Sequence, residues 1–298
     1  MTTDNSDNVI PFLNTNPKVS GASKSPSNTE EALAAGNVVC EFCFGTGTRL
    51  KLDEEGVKGA VICDCRRTNL RDQLFKSSQI PALFRKCTFA SYHAATPSQK
   101  WALDYSQRIV KEYPDVGRGL LLMGSVGVGK THLAVAIITN LIEQKGVRCL
   151  FYESGALLKA IQDSYNAISE TSELSLLEPV YKTEVLVLDE LGASVPSSWV
   201  RDTLYQIINR RYMDRKLTIL TTNYFDEVPD ASRTGPENSD DQRDSRSFAI
   251  KRIQKLTPLE ERIGTPLRSR LFEMCNTLEI KGTDYRKRVH DGLSPVPG

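Results

Sequence analysis

Gly124-Ser-Val-Gly127-Val-Gly129-Lys130-Thr131 constrains this chain more than any other stretch, because it matches the spacing G-x-x-x-x-G-K-[ST]. Such a loop works only between a strand and a helix, and both neighbours fit. Arg118–Met123 reads as a short buried strand, and Thr131–Ile142 as a helix that Gly146 stops. A glycine-rich turn lets backbone N–H groups converge on phosphate oxygens, and the helix behind it adds its positive end. Gly124, Gly127 and Gly129 shape the turn. Lys130 is expected to reach the outer phosphates, and Thr131 to offer its hydroxyl to Mg²⁺.

A second element belongs to the same chemistry. Glu184-Val-Leu-Val-Leu-Asp189-Glu190 is an apolar run ending in two acids, the pattern of a strand buried on both faces. Acids at the carboxyl end of such a strand stand where open α/β sheets bind ligands. Asp189 is read as a Mg²⁺ ligand, direct or through water, and Glu190 as the group that polarises attacking water. His132, next after the loop, is read as a helix residue and not as a base, since Glu190 fills that role.

Strands and helices alternate from about residue 80 to 285. Val147–Tyr152 and Leu217–Thr222 read as strands, with a last one at Thr277–Ile280. Ser154 to about Tyr165 reads as a helix. Ser197 or Ser198 caps another whose apolar positions include Val200, Leu204, Ile207 and Ile208. Alternation of this kind predicts an α/β domain with a largely parallel central sheet.

Four of the seven cysteines are clustered. Cys40-Glu-Phe-Cys43 is followed after nineteen residues by Cys63-Asp-Cys65, and no histidine lies within the span. Two close pairs of thiolates suit tetrahedral Zn²⁺, in a closed structural site with no position left for substrate. Disulfides or free thiols are the alternatives; an intracellular setting disfavours the first and clustering the second. Cys87, Cys149 and Cys275 are scattered and read as small buried apolar residues.

The 38 Lys and Arg against 37 Asp and Glu leave whole-chain charge silent about nucleic acid. No apolar run has spanning length and no leader pattern is visible, so a soluble, cytoplasmic protein without a membrane partner is expected. Four segments follow: a polar arm at 1–36, expected to be disordered; a cysteine module with a linker helix at 37–79; the nucleotide domain at 80–286; and a flexible tail at 287–298. Asp230–Ser247 reads as a surface insertion, and the basic run Arg66–Lys76 as a solvated helix face, with contact to DNA or a partner as the alternative.

Taken together, Gly-Ser-Val-Gly-Val-Gly-Lys-Thr-His-Leu-Ala, Leu-Val-Leu-Asp-Glu-Leu-Gly, Thr-Thr-Asn, Arg-Ser-Arg-Leu-Phe-Glu-Met-Cys and Gly-Thr-Asp-Tyr-Arg resemble the AAA+ ATPases of the DnaC/DnaI-like helicase-loader group and the related IstB transposition ATPases. The likeness covers roughly residues 80–286. It implies an AAA+ P-loop NTPase domain preceded by a small zinc module, with no clear helical lid. The stretch after residue 280 is short for a lid, and Arg286 is not adopted as a substitute for a lid arginine.

The resemblance further implies ATP hydrolysis, with Asn223 as the polar sensor beside the γ-phosphate. It implies an arginine finger acting in trans within a homo-oligomer. Arg270 matches that finger, and Arg268 competes for it. It also implies single-stranded DNA along a segment near Glu153–Tyr165, which includes Lys159, and a replicative helicase as partner. A transposition ATPase that assembles on duplex DNA and recruits a transposase is the alternative. A small-molecule kinase or GTPase is disfavoured, because no N-K-x-D element is present.

Overall fold

The computed structural model describes residues 40–52, 58–166, 172–227 and 257–290. The expected arm at 1–36, the insertion Asp230–Ser247 and tail residues 291–298 lie outside them. Two compact units divide the chain at Cys63 and Asp64.

In the first unit, β1 (Thr48–Leu52) and β2 (Lys58–Ile62) form an antiparallel hairpin, with Thr48 opposite Ile62. The segment before it is a tight knuckle: Phe44 N donates to Cys40 O at 2.8 Å, and Thr46 N to Cys43 O at 3.0 Å. Cys63 N donates to Gly47 O at 2.9 Å, which returns the hairpin's end to the knuckle. The strands were not anticipated from sequence, because five residues on each side give too short an alternation to stand out.

The second unit begins with α1 (Asp64–Ser77), whose residues are mostly exposed, as a solvated face requires. A 3₁₀ turn (Ala82–Phe84) leads to α2 (Pro97–Glu112). Then follow β3 (Gly119–Gly124), α3 (Lys130–Asn140) and β4 (Cys149–Glu153). Next come α4 (Ser154–Asp163), α5 (Glu173–Lys182) and β5 (Val185–Asp189). They are followed by α6 (Ser198–Met213) and β6 (Leu217–Thr222). The last elements are α7 (Leu259–Ile263), α8 (Thr265–Met274), β7 (Cys275–Ile280) and α9 (Tyr285–His290).

Five strands make one parallel sheet in the order β4-β5-β6-β3-β7. Every residue of β3 and β5 is buried, and the period of two sends alternate side chains to opposite layers. Leu120, Leu122, Val185, Val187 and Ile219 join Leu133 and Ile137 of α3 in one core. Leu121, Met123, Leu186, Leu188 and Leu220 join Leu204 and Ile207 of α6 in the other. The expected α/β sandwich is therefore the observed one.

Helix boundaries follow the local chemistry. Ser197, one of the two candidate caps, accepts a hydrogen bond from Val200 N at 3.2 Å. Gly146 ends the α3 segment at φ +64°, after a π turn over Leu141–Lys145. The helix α2 was missed in sequence, although Thr96 and Gln99 form a capping box at its start. Residues 287–290, expected to be loose, instead belong to α9. Asp284 Oδ1 accepts from Arg286 N at 3.0 Å and so satisfies one donor of its first turn.

Candidate nucleotide-binding site

The carboxyl ends of β3, β5 and β6 are adjacent, and that edge of the sheet carries a cleft of about 600 Å³. Gly127, Gly129, Lys130, Thr131, Asp189, Glu190 and Asn223 all line it. Gly124 opens the loop at the end of β3. Gly127 and Gly129 have φ of +79° and +98°, a region in which a side chain is strained. At Gly129 space also excludes one, since a Cβ would lie 2.5 Å from the Tyr92 ring.

Lys130 is buried, and its ammonium has three acceptors: Gly124 O at 2.9 Å, Ser125 O at 2.7 Å and Asn223 Oδ1 at 2.7 Å. Burial holds its pKa down to about 8, while the charges of Asp189 and Glu190 pull it back up. Thr131 Oγ1 donates to Asp189 Oδ1 at 2.9 Å, which places hydroxyl and carboxylate on one spot. Burial raises the Asp189 carboxyl, and hydrogen bonds from Thr221 and Thr131 oppose that rise.

Glu190 turns the chain at φ +57°. A non-glycine residue held there costs on the order of 1 kcal/mol and needs support. Thr221 gives it on both sides: its Oγ1 accepts from Glu190 N at 3.0 Å and donates to Asp189 Oδ1 at 2.5 Å. Burial, Asp189 and Glu153 push the Glu190 carboxyl above its ordinary value. Thr221 escaped the sequence reading. Its only sign there was its place as the first residue of the Thr-Thr-Asn223 stretch, to which no role of its own was given.

Two further segments wall the cleft. Residues 84–95 supply Phe84, Cys87, Ser91, Tyr92 and His93. Cys87 meets the expectation of a buried apolar residue only in part: it packs against the core yet is half-buried, because it also lines the cleft. Cys149 and Cys275 are buried as expected. The second wall follows β7, where Tyr285 N donates to Gly127 O at 3.1 Å and Arg286 lines the cleft. The bond from Tyr285 ties this wall, the Gly282-Thr-Asp-Tyr-Arg286 stretch, to the phosphate loop.

Arg268 and Arg270 lie on α8, and neither lines the cleft. Arg268 is 2% exposed and grips Asp226 through two bonds of 2.6 Å each. Arg270 is half-buried, lies 4.3 Å over the Tyr212 ring and donates to Glu273 Oε2 at 2.6 Å. On α4, Lys159 is exposed and paired with Asp163 at 2.6 Å.

The sulfur atoms of Cys40, Cys43, Cys63 and Cys65 lie within 4.8 Å of one another, with Cys40 Sγ and Cys63 Sγ 3.7 Å apart. Four thiolates about 2.3 Å from one Zn²⁺ would stand about 3.8 Å from each other in a tetrahedron. The donor set thus fits zinc in chemistry and in spacing, and no disulfide is present among the described cysteines.

A parallel sheet with a phosphate loop, a paired hydroxyl and carboxylate, and a strand-end amide at one edge defines a P-loop nucleotide-binding protein. Residues 82–229 match the family model described as IstB-like ATP binding protein. The replicative helicase loader DnaC of Escherichia coli K12 is 28% identical over 183 residues, 60% of this chain and 74% of that protein. The replicative helicase loader DnaI of Bacillus subtilis is 28% identical over 157 residues, 52% of this chain and 49% of that protein. A crystal structure of the DnaC helicase loader superposes with a TM-score of 0.52 and 32% identity, over 67% of this chain and all of that one. The chain belongs to the DnaC/DnaI-like family of AAA+ ATP-binding proteins. Among the described residues, no helix is long and apolar enough to cross a membrane.

Proposed function

We propose that this protein hydrolyses ATP in the service of DNA replication, oligomerising on single-stranded DNA and loading or remodelling a replicative helicase. The observation that carries the reading is the joint placement of Lys130, Thr131, Asp189, Glu190 and Asn223 in one cleft, on a chain 32% identical to a helicase loader of known structure.

The geometry supports a role for each residue. Backbone N–H groups from Gly124 to Thr131 and the α3 N-terminus receive the phosphates of ATP. Lys130 exchanges its carbonyl acceptors for phosphate oxygens. Asn223, 2.7 Å from Lys130 Nζ, meets the same terminal phosphate. Thr131 and Asp189 would hold Mg²⁺, whose bound charge offsets that of the phosphates. Glu190 accepts a proton from the attacking water; burial and Asp189 raise its affinity for that proton.

The burial of Arg268 against Asp226, set beside the more exposed Arg270 with its Glu273 pair, supports Arg270 over Arg268 as the finger in a neighbouring subunit's cleft. Hydrolysis then depends on assembly. Cys40, Cys43, Cys63 and Cys65 would hold Zn²⁺, which fixes the knuckle and hairpin as a docking module. Lys159 contributes one backbone contact per subunit to single-stranded DNA, and repetition around the oligomer multiplies it.

The match to the IstB-like model supports a second reading, a transposition ATPase on duplex DNA. One experiment separates them: the purified protein is mixed with its host's replicative helicase, ATP and Mg²⁺, and complexes are sized and weighed beside Cys40→Ser and Arg270→Ala. A stoichiometric complex lost with Cys40→Ser supports the loader. ATP-dependent filaments on duplex DNA without a helicase complex refute it.

A further inference from the structure

His132 follows the phosphate loop directly, and the nucleotide chemistry above makes no use of it. Its ring nevertheless reaches out of α3 to the segment of residues 84–95 that walls the cleft. Nε2 lies 2.8 Å from Thr88 O and 3.3 Å from Ser91 Oγ. A carbonyl oxygen only accepts, so Nε2 carries the hydrogen and donates it to Thr88. The ring meets Tyr92 edge-on, with centroids 5.3 Å apart.

Two other bonds fasten the same region at a different point. Tyr92 Oη and Gln99 Nε2 both donate to Val128 O, at 3.2 Å each. Those bonds fix Tyr92 against the loop's backbone. The turn Thr88–Ser91 is closed on itself, Thr88 N to Ser91 Oγ at 3.0 Å and Ser91 N to Thr88 Oγ1 at 3.1 Å. The imidazole therefore holds a preformed turn as a unit. Cys87, Ser91 and His93 of that region line the cleft together with His132 and the phosphate-loop residues Gly127, Gly129, Lys130 and Thr131.

We propose that His132 is a positioning residue for the nucleoside. By donating to Thr88 O it holds the turn Thr88–Ser91, and with it the wall of Cys87, Ser91 and His93, against the helix that follows the phosphate loop, so that a base and ribose meet an ordered surface. The inference rests on the proposed ATP site and specifies which residue makes that site accept a nucleotide in preference to a bare polyphosphate chain. It predicts a selective defect. Without the imidazole, the loop keeps its glycines, Lys130 and Thr131, so polyphosphate affinity stays, while the nucleoside loses its ordered wall.

The test compares ATP, ADP and inorganic tripolyphosphate binding by calorimetry, with Mg²⁺, in wild type, His132→Ala, His132→Gln and His132→Asn. Circular dichroism checks folding. Loss of one part-buried hydrogen bond, with Thr88 O left without the imidazole, predicts about tenfold weaker ATP and ADP binding in His132→Ala. Tripolyphosphate binding is expected to stay within about twofold of wild type, a change smaller than one hydrogen bond is worth. His132→Gln, whose amide nitrogen can take the place of Nε2, restores nucleotide affinity; the shorter His132→Asn does not.

Equal loss of all three ligands, or no loss of any, overturns the inference. If His132→Ala does not fold, the contrast between glutamine and asparagine decides alone, and equal behaviour of the two overturns it. Failure of wild type itself to bind ATP is a different result: it removes the proposed function and the inference with it.

Discussion

Thr131 and Asp189 are joined by a hydrogen bond of 2.9 Å, although they are 58 positions apart and come from a helix start and a strand end. Parallel pairing of β5 with β6, and of β6 with β3, is what makes them neighbours. The hydroxyl and the carboxylate converge before any cation is involved, so little rearrangement stands between this arrangement and a Mg²⁺ site. Asp189→Asn keeps the shape and removes the charge. ATP hydrolysis is expected to fall about 100-fold or more, in line with losing a charged group at a transition state that depends on Mg²⁺. Nucleotide binding measured in EDTA should change little. Equal loss of both would mean that Asp189 builds the loop instead of serving the cation.

Lys130 makes a sharper case, since its ammonium already has three oxygen acceptors. Lys130→Ala removes charge-assisted bonds worth about 1.5–3 kcal/mol, so ATP affinity should drop by roughly 10- to 100-fold. Equilibrium binding of a fluorescent ATP analogue measures it. An unchanged affinity would take Lys130 out of the site.

The two candidate arginines on α8 are expected to separate by phenotype. Arg268→Ala breaks a bidentate pair whose guanidinium is 2% exposed and whose carboxylate is 37% exposed. Denaturant unfolding should show a loss of about 2 kcal/mol, below the fully buried case because Asp226 keeps partial contact with water. Arg270→Ala should fold like wild type and lose hydrolysis on the order of 10³-fold. Mixing it with Glu190→Gln should restore part of the rate, because one subunit then supplies the finger and the other the acid. No recovery in the mixture would argue against action in trans.

The contrast between those arginines marks how far sequence could go. Phosphate loop, acid strand and alternating layers were legible because each is written in consecutive residues with a fixed period. The four cysteines were legible from their count and spacing, and the structure brings their sulfur atoms together. What could not be read is set by tertiary contact. Thr221 supports Glu190 only because β5 and β6 are neighbours. The wall at residues 84–95 faces the loop through bonds from Tyr92, Gln99 and His132, and no local pattern announces it. Arg268 and Arg270 sit two residues apart with similar neighbours in sequence, yet only the first has Asp226 opposite.

Arg211 is another residue that sequence disguised. In sequence it stands among basic residues, Arg210, Arg211, Arg215 and Lys216, near the end of α6, where positive charge ordinarily suits the helix dipole. It is instead fully buried, with its guanidinium donating to Thr218 Oγ1 at 2.9 Å and to the carbonyls of Val180, Thr183, Glu184 and Leu217. The fork ties α5, α6 and the starts of β5 and β6 at the edge opposite the cleft. Arg211→Met leaves those carbonyls without donors, and about 3 kcal/mol of stability should be lost. Arg211→Lys should recover little, since an ammonium cannot span the fork. Full recovery by lysine in denaturant unfolding would show that charge alone matters there.

Gly129 offers a test in which two physical causes can be separated. Its φ of +98° strains any side chain, and a Cβ there would lie 2.5 Å from Tyr92 Cε2. Backbone strain cannot be relieved by a neighbour, whereas the clash disappears if the ring is removed. Gly129→Ala alone should weaken nucleotide binding and lower stability by about 2 kcal/mol, the sum of a left-handed penalty and overpacking. In the double variant with Tyr92→Ala, the clash is gone and the strain stays, so the two effects should fall short of additive by about 1 kcal/mol. A strictly additive cycle would assign the whole cost to the backbone. It would also mean that the Tyr92 ring moves aside freely, despite its hydroxyl bond to Val128 O.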